Sequence, residues 1–256
     1  MSPALKGGVS RINNSFITGS INGCITGSAS TMIKRLISQM ALWCAIMASL
    51  LFGAAGTLRW AAAWWYLLEW SVLGMWIGLW LARYDPGLLA ERLAPVLQPA
   101  QRLWDQLFMG YVGIVWTGWM ILMGLDGGRY HWSEVPRWLQ AVGALGIFLS
   151  VYACRFVFRA NSFAAPVIKI QSDRRHTVSD RGPYAYIRHP MYAAALPFLL
   201  GLPLLLDSWW GLPGALPLIV GLAWRAVQEE RQLSEQLEGY AAYAARVHYR
   251  FVPYLW

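Results

Sequence analysis

The chain has 256 residues, of which 57% are hydrophobic and only 13% charged. A soluble domain carries about a quarter charged residues, so most of this surface has no need of water, and an ordinary soluble enzyme is excluded. The net charge of +8 raises nucleic acid as a partner. The basic residues sit between apolar runs and not in aromatic-interleaved patches, which points to a membrane surface and against nucleic acid.

The 16 Trp and 12 Tyr agree with this, because their amphipathic rings favour the headgroup zone. Residues 1–33 are polar, rich in Ser, Asn, Gly and Thr, and have no apolar core of a secretory signal. They are expected to form a mobile tail, and Met32-Ile33-Lys34-Arg35 would itself make a sensible beginning. Residues 34–158 are expected to hold four transmembrane helices. The first two apolar segments, about Ser38–Leu58 and Trp60–Leu81, form a hairpin through a very short link. Residues 83–106 are mixed, and Asp85-Pro86-Gly87 followed by Leu88–Leu93 predicts a short interfacial helix. A third span covers about Leu107–Leu125 and is ended by Asp126-Gly127-Gly128. Pro136 then precedes a fourth, about Trp138–Phe158.

Residues 159–256 are expected to form a polar loop, a kinked membrane hairpin and a cytosolic helix. A polar stretch, Arg159–Arg188, leads into two apolar segments, about Met191–Leu206 and Trp209–Ala226. The first of these is short for a crossing at 1.5 Å per residue and contains Pro197 and Pro203. From Gln228 the tail is charged and helical in pattern until Pro253. With six crossings and a cytosolic N-terminus, 18 of the 21 Lys and Arg fall on the cytosolic side. Only Arg59, Arg129 and Arg137 fall on the far side, a strong positive-inside bias. The expected fold is all-α: a polytopic membrane protein of five to six transmembrane helices, with a cytosolic-side cofactor pocket formed by the C-terminal third. Both termini and the active site are expected on the cytosolic side.

Ionisable groups inside spans mark ion and proton pathways, and the predicted spans contain almost none. The chemistry is therefore expected at the cytosolic mouth, where two constellations stand. The first runs from Gln171 through His176-Thr177-Val178-Ser179, Gly182-Pro183-Tyr184 and Arg188-His189-Pro190-Met191-Tyr192. The second is Arg225-Ala226-Val227-Gln228-Glu229-Glu230, with Tyr240 and Tyr243 further on. Gly-Pro-Tyr, then Arg-His-Pro-x-Tyr before a Pro-broken hairpin, then Glu-Glu and a tail carrying Val-Pro, resembles the isoprenylcysteine carboxyl methyltransferase family. The phospholipid N-methyltransferases share its membrane-embedded plan. Asp85–Leu93 is similar to a phrase common in bacterial members, and the resemblance is sharp over roughly 165–253.

The resemblance implies S-adenosylmethionine as cofactor and carboxyl O-methylation of a prenylated or otherwise hydrophobic acceptor entering from the lipid bilayer. It implies cofactor contacts at Gln171, His176, Thr177, Val178, Ser179, Tyr184, His189, Pro190, Met191, Tyr192, Glu229 and Glu230. Arg225 would hold the substrate, and Arg225, Glu229 and Arg188 would be the catalytic set. The chemistry of the residues is consistent with this. Glu229 or Glu230 suits the ammonium of the donor, aromatic faces such as Tyr184 and Tyr192 suit adenine or a sulfonium, and a helix start at Pro190 suits a carboxylate.

Plainer roles compete at each position. Arg188 and His189 also suit residues snorkelling beneath a span, Glu229-Glu230 a solvated helix face, Arg225 a positive-inside anchor, and His176 an ordinary loop position. No metal is expected, because His176 and His189 lack a Cys or carboxylate at ligand spacing. The three cysteines form no CxxC and suggest neither disulfide nor zinc. Three other functions stay open: a phospholipid amine methyltransferase, a small-thiol methyltransferase, and a sterol-type NADPH reductase with a related cytosolic pocket.

Overall fold

The computed structural model describes residues 15–98, 101–168 and 176–256, with side chains from Ser30 onward. The fold is all-helical. Helix α1 spans Ser15–Ala55, α2 Ala61–Tyr84, α3 Pro86–Arg92, α4 Leu103–Met123 and α5 Arg137–Ala160. After a long loop come α6 Pro190–Leu205, the single turn α7 Gly211–Gly214, α8 Leu216–Gln236 and α9 Tyr240–Arg246. Extended pairing among the described residues is confined to one isolated parallel bridge, Ile187 with Tyr249.

Three helical stretches are long and apolar enough to cross a membrane: Ser30–Ala55, Leu103–Tyr130 and Arg137–Ala160. Helix α2 has the length, but its Trp and Tyr side chains, Glu69 and Arg83 dilute its hydropathy. Helix α6 is apolar yet only 16 residues long, about 24 Å of rise. The outer half of α8 is charged. Large apolar side chains on α1, α2, α4 and α5 point outward, among them Leu42, Trp65, Ile114 and Leu145, as in a protein whose solvent is lipid. The chain is an integral membrane protein of the polytopic kind.

Sequence expectation and structure differ at three places. Helix α1 reaches back to Ser15, so residues 15–33, expected as a tail, continue the first helix. At 41 residues it is about 60 Å long, twice a hydrocarbon core; residues 1–14 lie outside the described part. The expected stop at Asp126-Gly127-Gly128 is instead a π-helical extension of α4, Gly124–Tyr130. It exists because a Cβ on Gly127 would collide with the Leu206 and Asp207 carbonyls, and because Asp126 is fully buried yet satisfied. Its carboxylate accepts from Ser133 Oγ at 2.6 Å and Ser208 Oγ at 2.7 Å. The tail does not run helically to Pro253: α8 ends at Gln236, Gly239 turns the chain at φ +82°, and α9 follows.

The helices run between two ends. At one end the α1–α2 turn, the π-helical extension, the start of α5 and the α6–α7 corner meet, with Asp207 accepting from the Val135 N–H. The opposite end gathers α3, the start of α4, the end of α5, the 161–168 loop, the start of α6, the outer half of α8 and α9. Asp85 caps α3 by accepting from the Leu88 N–H at 2.9 Å, with Pro86 in the first turn, the residue types suited to a helix start. Helices α5 and α6 are the most intimate pair. Cβ atoms on Gly143 or Gly201 would strike the other's backbone, the close approach that small residues permit between membrane helices. This pairing fixes both flanks of the 161–189 loop.

Candidate functional site

Residues that follow α5 and residues that end the chain meet at one end of the bundle. The Arg188 and His189 N–H groups donate to the Tyr249 and Arg250 carbonyls, both at 2.9 Å. Tyr243 Oη donates to the Tyr184 carbonyl at 2.9 Å, and Asn161 Nδ2 donates to Tyr184 Oη at 3.0 Å. Pro190 opens α6 at its first position, where a missing N–H costs nothing. It thereby sets His189 and Arg188 just outside the helix.

Between these elements lies an open cavity of about 800 Å³, counted together with the solvent space at its mouth. Of the residues singled out from sequence, His176, Thr177, Val178, Ser179, Tyr184, Arg188, His189, Met191, Tyr192 and Glu229 line it. Gln171 lies outside the described residues. Pro190 and Glu230 stand behind the wall, and Arg225 is not part of it.

Sequence reasoning left the choice between Glu229 and Glu230 open, and the geometry separates them. Glu230 is consumed by cations. Arg188 Nε lies 2.8 Å from its carboxylate, Arg250 Nη2 3.0 Å and His189 Nε2 3.1 Å. Burial pushes this carboxyl up, but the hydrogen bonds from His189 and Arg250 and the charges of His189 and Arg188 outweigh it. The net effect holds Glu230 below its ordinary value. Glu229 faces the cavity, its side chain 23% exposed, and accepts from Tyr192 Oη at 2.7 Å. The His189 ring stacks on Tyr192, with Phe251 edge-on to both.

The rest of the wall is aromatic and apolar. Phe163 stacks on His176 at 4.3 Å between centroids, and Val167, Ile168, Leu233 and Leu237 complete the lining with Tyr240 and Tyr243. Tyr240 Oη is buried without a hydrogen-bond partner among the described residues. Burial, then the nearby Glu230 and Glu229 charges, raise its pKa, so it stays a donor. Burial likewise pushes Tyr243 up to about 12, and raises Tyr184 against the pull of the Asn161 hydrogen bond.

Arg225, expected to hold the substrate, is engaged within the protein and does not line the cavity. Only 7% exposed, it ion-pairs at 2.9 Å with Asp105, which is 0% exposed. It also donates to the Pro166 carbonyl at 2.7 Å and lies over the Phe108 ring. Asp105 accepts in addition from Gln101 Nε2 and the Ile168 N–H. Arg225 therefore ties α8 to α4 and to the loop under the cavity. Asp105 was missed from sequence because the third span was begun at Leu107, although a lone acid entering an apolar helix is itself a signal. Arg250 carried no signal, since the tail's extended pairing with residues 187–189 has no local pattern.

Residues 139–238, from within α5 to just past α8, match the family model for phospholipid methyltransferase. The match supports a membrane methyltransferase of that broad kind. No curated protein matches the chain.

Proposed function

We propose that the chain transfers a methyl group from S-adenosylmethionine to a lipid-phase acceptor, an isoprenylcysteine-type α-carboxylate first among them, at a pocket facing the cytosol. The observation that carries this reading is the convergence of Glu229, Tyr192, Tyr240 and the 176–179 segment on one cavity from two distant parts of the chain.

The donor set fits the cofactor. Glu229 has one carboxylate face toward the cavity for an ammonium, and Tyr240 Oη is an orphaned buried donor that a polar ligand atom would satisfy. The tyrosines and the leucine wall suit adenine and a sulfonium. When bound, S-adenosylmethionine supplies an activated methyl group. The protein's contribution is then alignment and exclusion of water, worth a large share of the barrier in such displacements. Arg188 and Arg250 hold Glu230, which holds His189, which stacks on Tyr192; this chain of contacts fixes the rotamer of the residue that orients Glu229.

A carboxylate acceptor arrives ionised and asks no base of the pocket. The second reading, a phospholipid amine, is favoured by the family match over residues 139–238; an amine must shed its proton before it can attack the methyl group. The proposed cytosolic orientation rests on the sequence-derived topology, which assigns 18 of the 21 Lys and Arg to the cytosolic segments.

Calorimetric titration of the purified chain with S-adenosylhomocysteine and with NADPH tests the cofactor. Binding of NADPH alone would end the methyltransferase reading in favour of a reductase. Radiolabelled methyl transfer in membranes to farnesylcysteine, phosphatidylethanolamine and small thiols then identifies the acceptor, and label in none of the lipids overturns the lipid-phase assignment.

A further inference from the structure

Arg92 closes α3, a short helix whose Leu88 and Leu89, with the following Leu93, pack against Leu36, Leu81 and Phe158 at the pocket end of the bundle. This packing carries a guanidinium into the interior. Its Nη1 donates to the Ala164 carbonyl at 2.9 Å and lies 3.7 Å from Met191 Sδ, and its face covers the Phe158 ring at 4.5 Å. Ala164 and Met191 both line the cavity, so the charge stands one side chain behind the wall.

Of the other arginines buried or half-buried at this end, Arg225 has Asp105, Arg188 and Arg250 share Glu230, and Arg155 lies over the Trp76 and Trp80 rings at the α2 side. Arg92 has none within ion-pair distance among the described residues. Its Nε and Nη2 donors likewise have no acceptor there. Arg92 is half-buried and these two donors are not sealed inside the protein; a guanidinium presents such donors as a fork matched to an oxyanion. Burial lowers the Arg92 pKa, and the groups that oppose this, Cys154 and Tyr184, are not carboxylates.

We propose that Arg92 is the oxyanion anchor for the acceptor, binding the phosphodiester or α-carboxylate of a lipid that enters along α3, with Met191 as its movable cover. The inference rests on the lipid-phase acceptor proposed above and deepens it. The cover suits the role, because an unbranched thioether changes rotamer at little cost. Anchoring the anion here would place the acceptor's head beside Met191, which lines the cavity.

The test uses the full chain in dodecyl maltoside micelles, with dodecyl phosphate and N-acetyl-farnesylcysteine as probes and the melting midpoint as readout. At least one probe should raise the midpoint of the wild type, and equally that of Arg102→Gln, an exposed arginine at the same end paired with Glu235. The rise should vanish in Arg92→Gln. Arg92→Lys keeps a charge but loses the fork, and should need about tenfold more probe for the same rise. The responding probe tells a phosphate from a carboxylate source. No response to either probe, or an unchanged response in both Arg92 variants, overturns the assignment. So does a tenfold loss of S-adenosylhomocysteine affinity in Arg92→Gln, which would place the residue on the cofactor. Failure of the wild type to bind S-adenosylhomocysteine would sink the methyltransferase reading while leaving the anion site standing or falling on its own probes.

Discussion

Two adjacent glutamates on α8 do different work because of where one turn of helix points them. Glu230 is held among Arg188, Arg250 and His189, and these donors take up its acceptor capacity. Glu229 has one phenol and one open face. Removing the charge of a carboxylate that receives an ammonium costs about 1.5–3 kcal/mol. Glu229→Gln is therefore expected to weaken S-adenosylhomocysteine binding roughly tenfold to a hundredfold by calorimetry. Tyr192→Phe, which only frees the rotamer of Glu229, should cost less, about 0.5–1.5 kcal/mol. Equal losses in Glu229→Gln and Glu230→Gln would refute the division of labour. Asp105 and Arg225 make a sharper case. Breaking a buried pair by removing one partner costs about 3–5 kcal/mol, so Asp105→Ala and Arg225→Ala should each lower stability by that order in chemical denaturation. The double variant should lose far less than the sum, because no orphaned charge remains. Should Arg225→Ala leave stability intact and raise only the acceptor KM, the residue would be a substrate anchor after all.

At the scale of elements, α3 and the helices from α4 to α6 were legible because each is written locally. Asp85-Pro86 states a helix start, Pro190 another, and the apolar runs state their own lengths. The lost boundaries have non-local causes. Nothing within Asp126-Gly127-Gly128 announces that Ser133 and Ser208 will satisfy the acid and let the helix run on as a π-turn. The candidate site was legible in its clustered motifs, His176–Ser179 and Arg188–Tyr192, and illegible where it depends on pairing between residues 187–189 and 249–250. That pairing is held by Glu230, which gives it a pH dependence. The folded carboxyl lies below its ordinary 4.5, so its stabilising contribution is fully present above that value and is lost as pH falls through the folded pKa. Hydrogen exchange at the Arg188 and His189 amides, which donate to Tyr249 and Arg250, should accelerate relative to other protected amides on acidification below pH 4.5. Glu230→Gln should remove that dependence, and an unchanged acid profile in the variant would assign it elsewhere.

Over the whole molecule, function depends on the two ends of the bundle facing different solvents. The end with Asp126, Ser133 and Ser208 is closed by satisfied hydrogen bonds and carries few cations. The other holds the cavity and the arginine-rich loops, where anionic headgroups would meet them. The proposed donor, S-adenosylmethionine, is made in the cytosol, and the proposal therefore requires the second end to face inward. With the native cysteines replaced, single cysteines at Arg181 beside the pocket and at Arg129 on the π-turn should report opposite sides to a membrane-impermeant maleimide. In intact cells the Arg129→Cys label should appear and the Arg181→Cys label should appear only after permeabilisation. The reverse pattern would place the cavity outside, away from any supply of S-adenosylmethionine. Labelling of both from one side would break the bundle geometry itself, because α5 could not then connect them by crossing the bilayer.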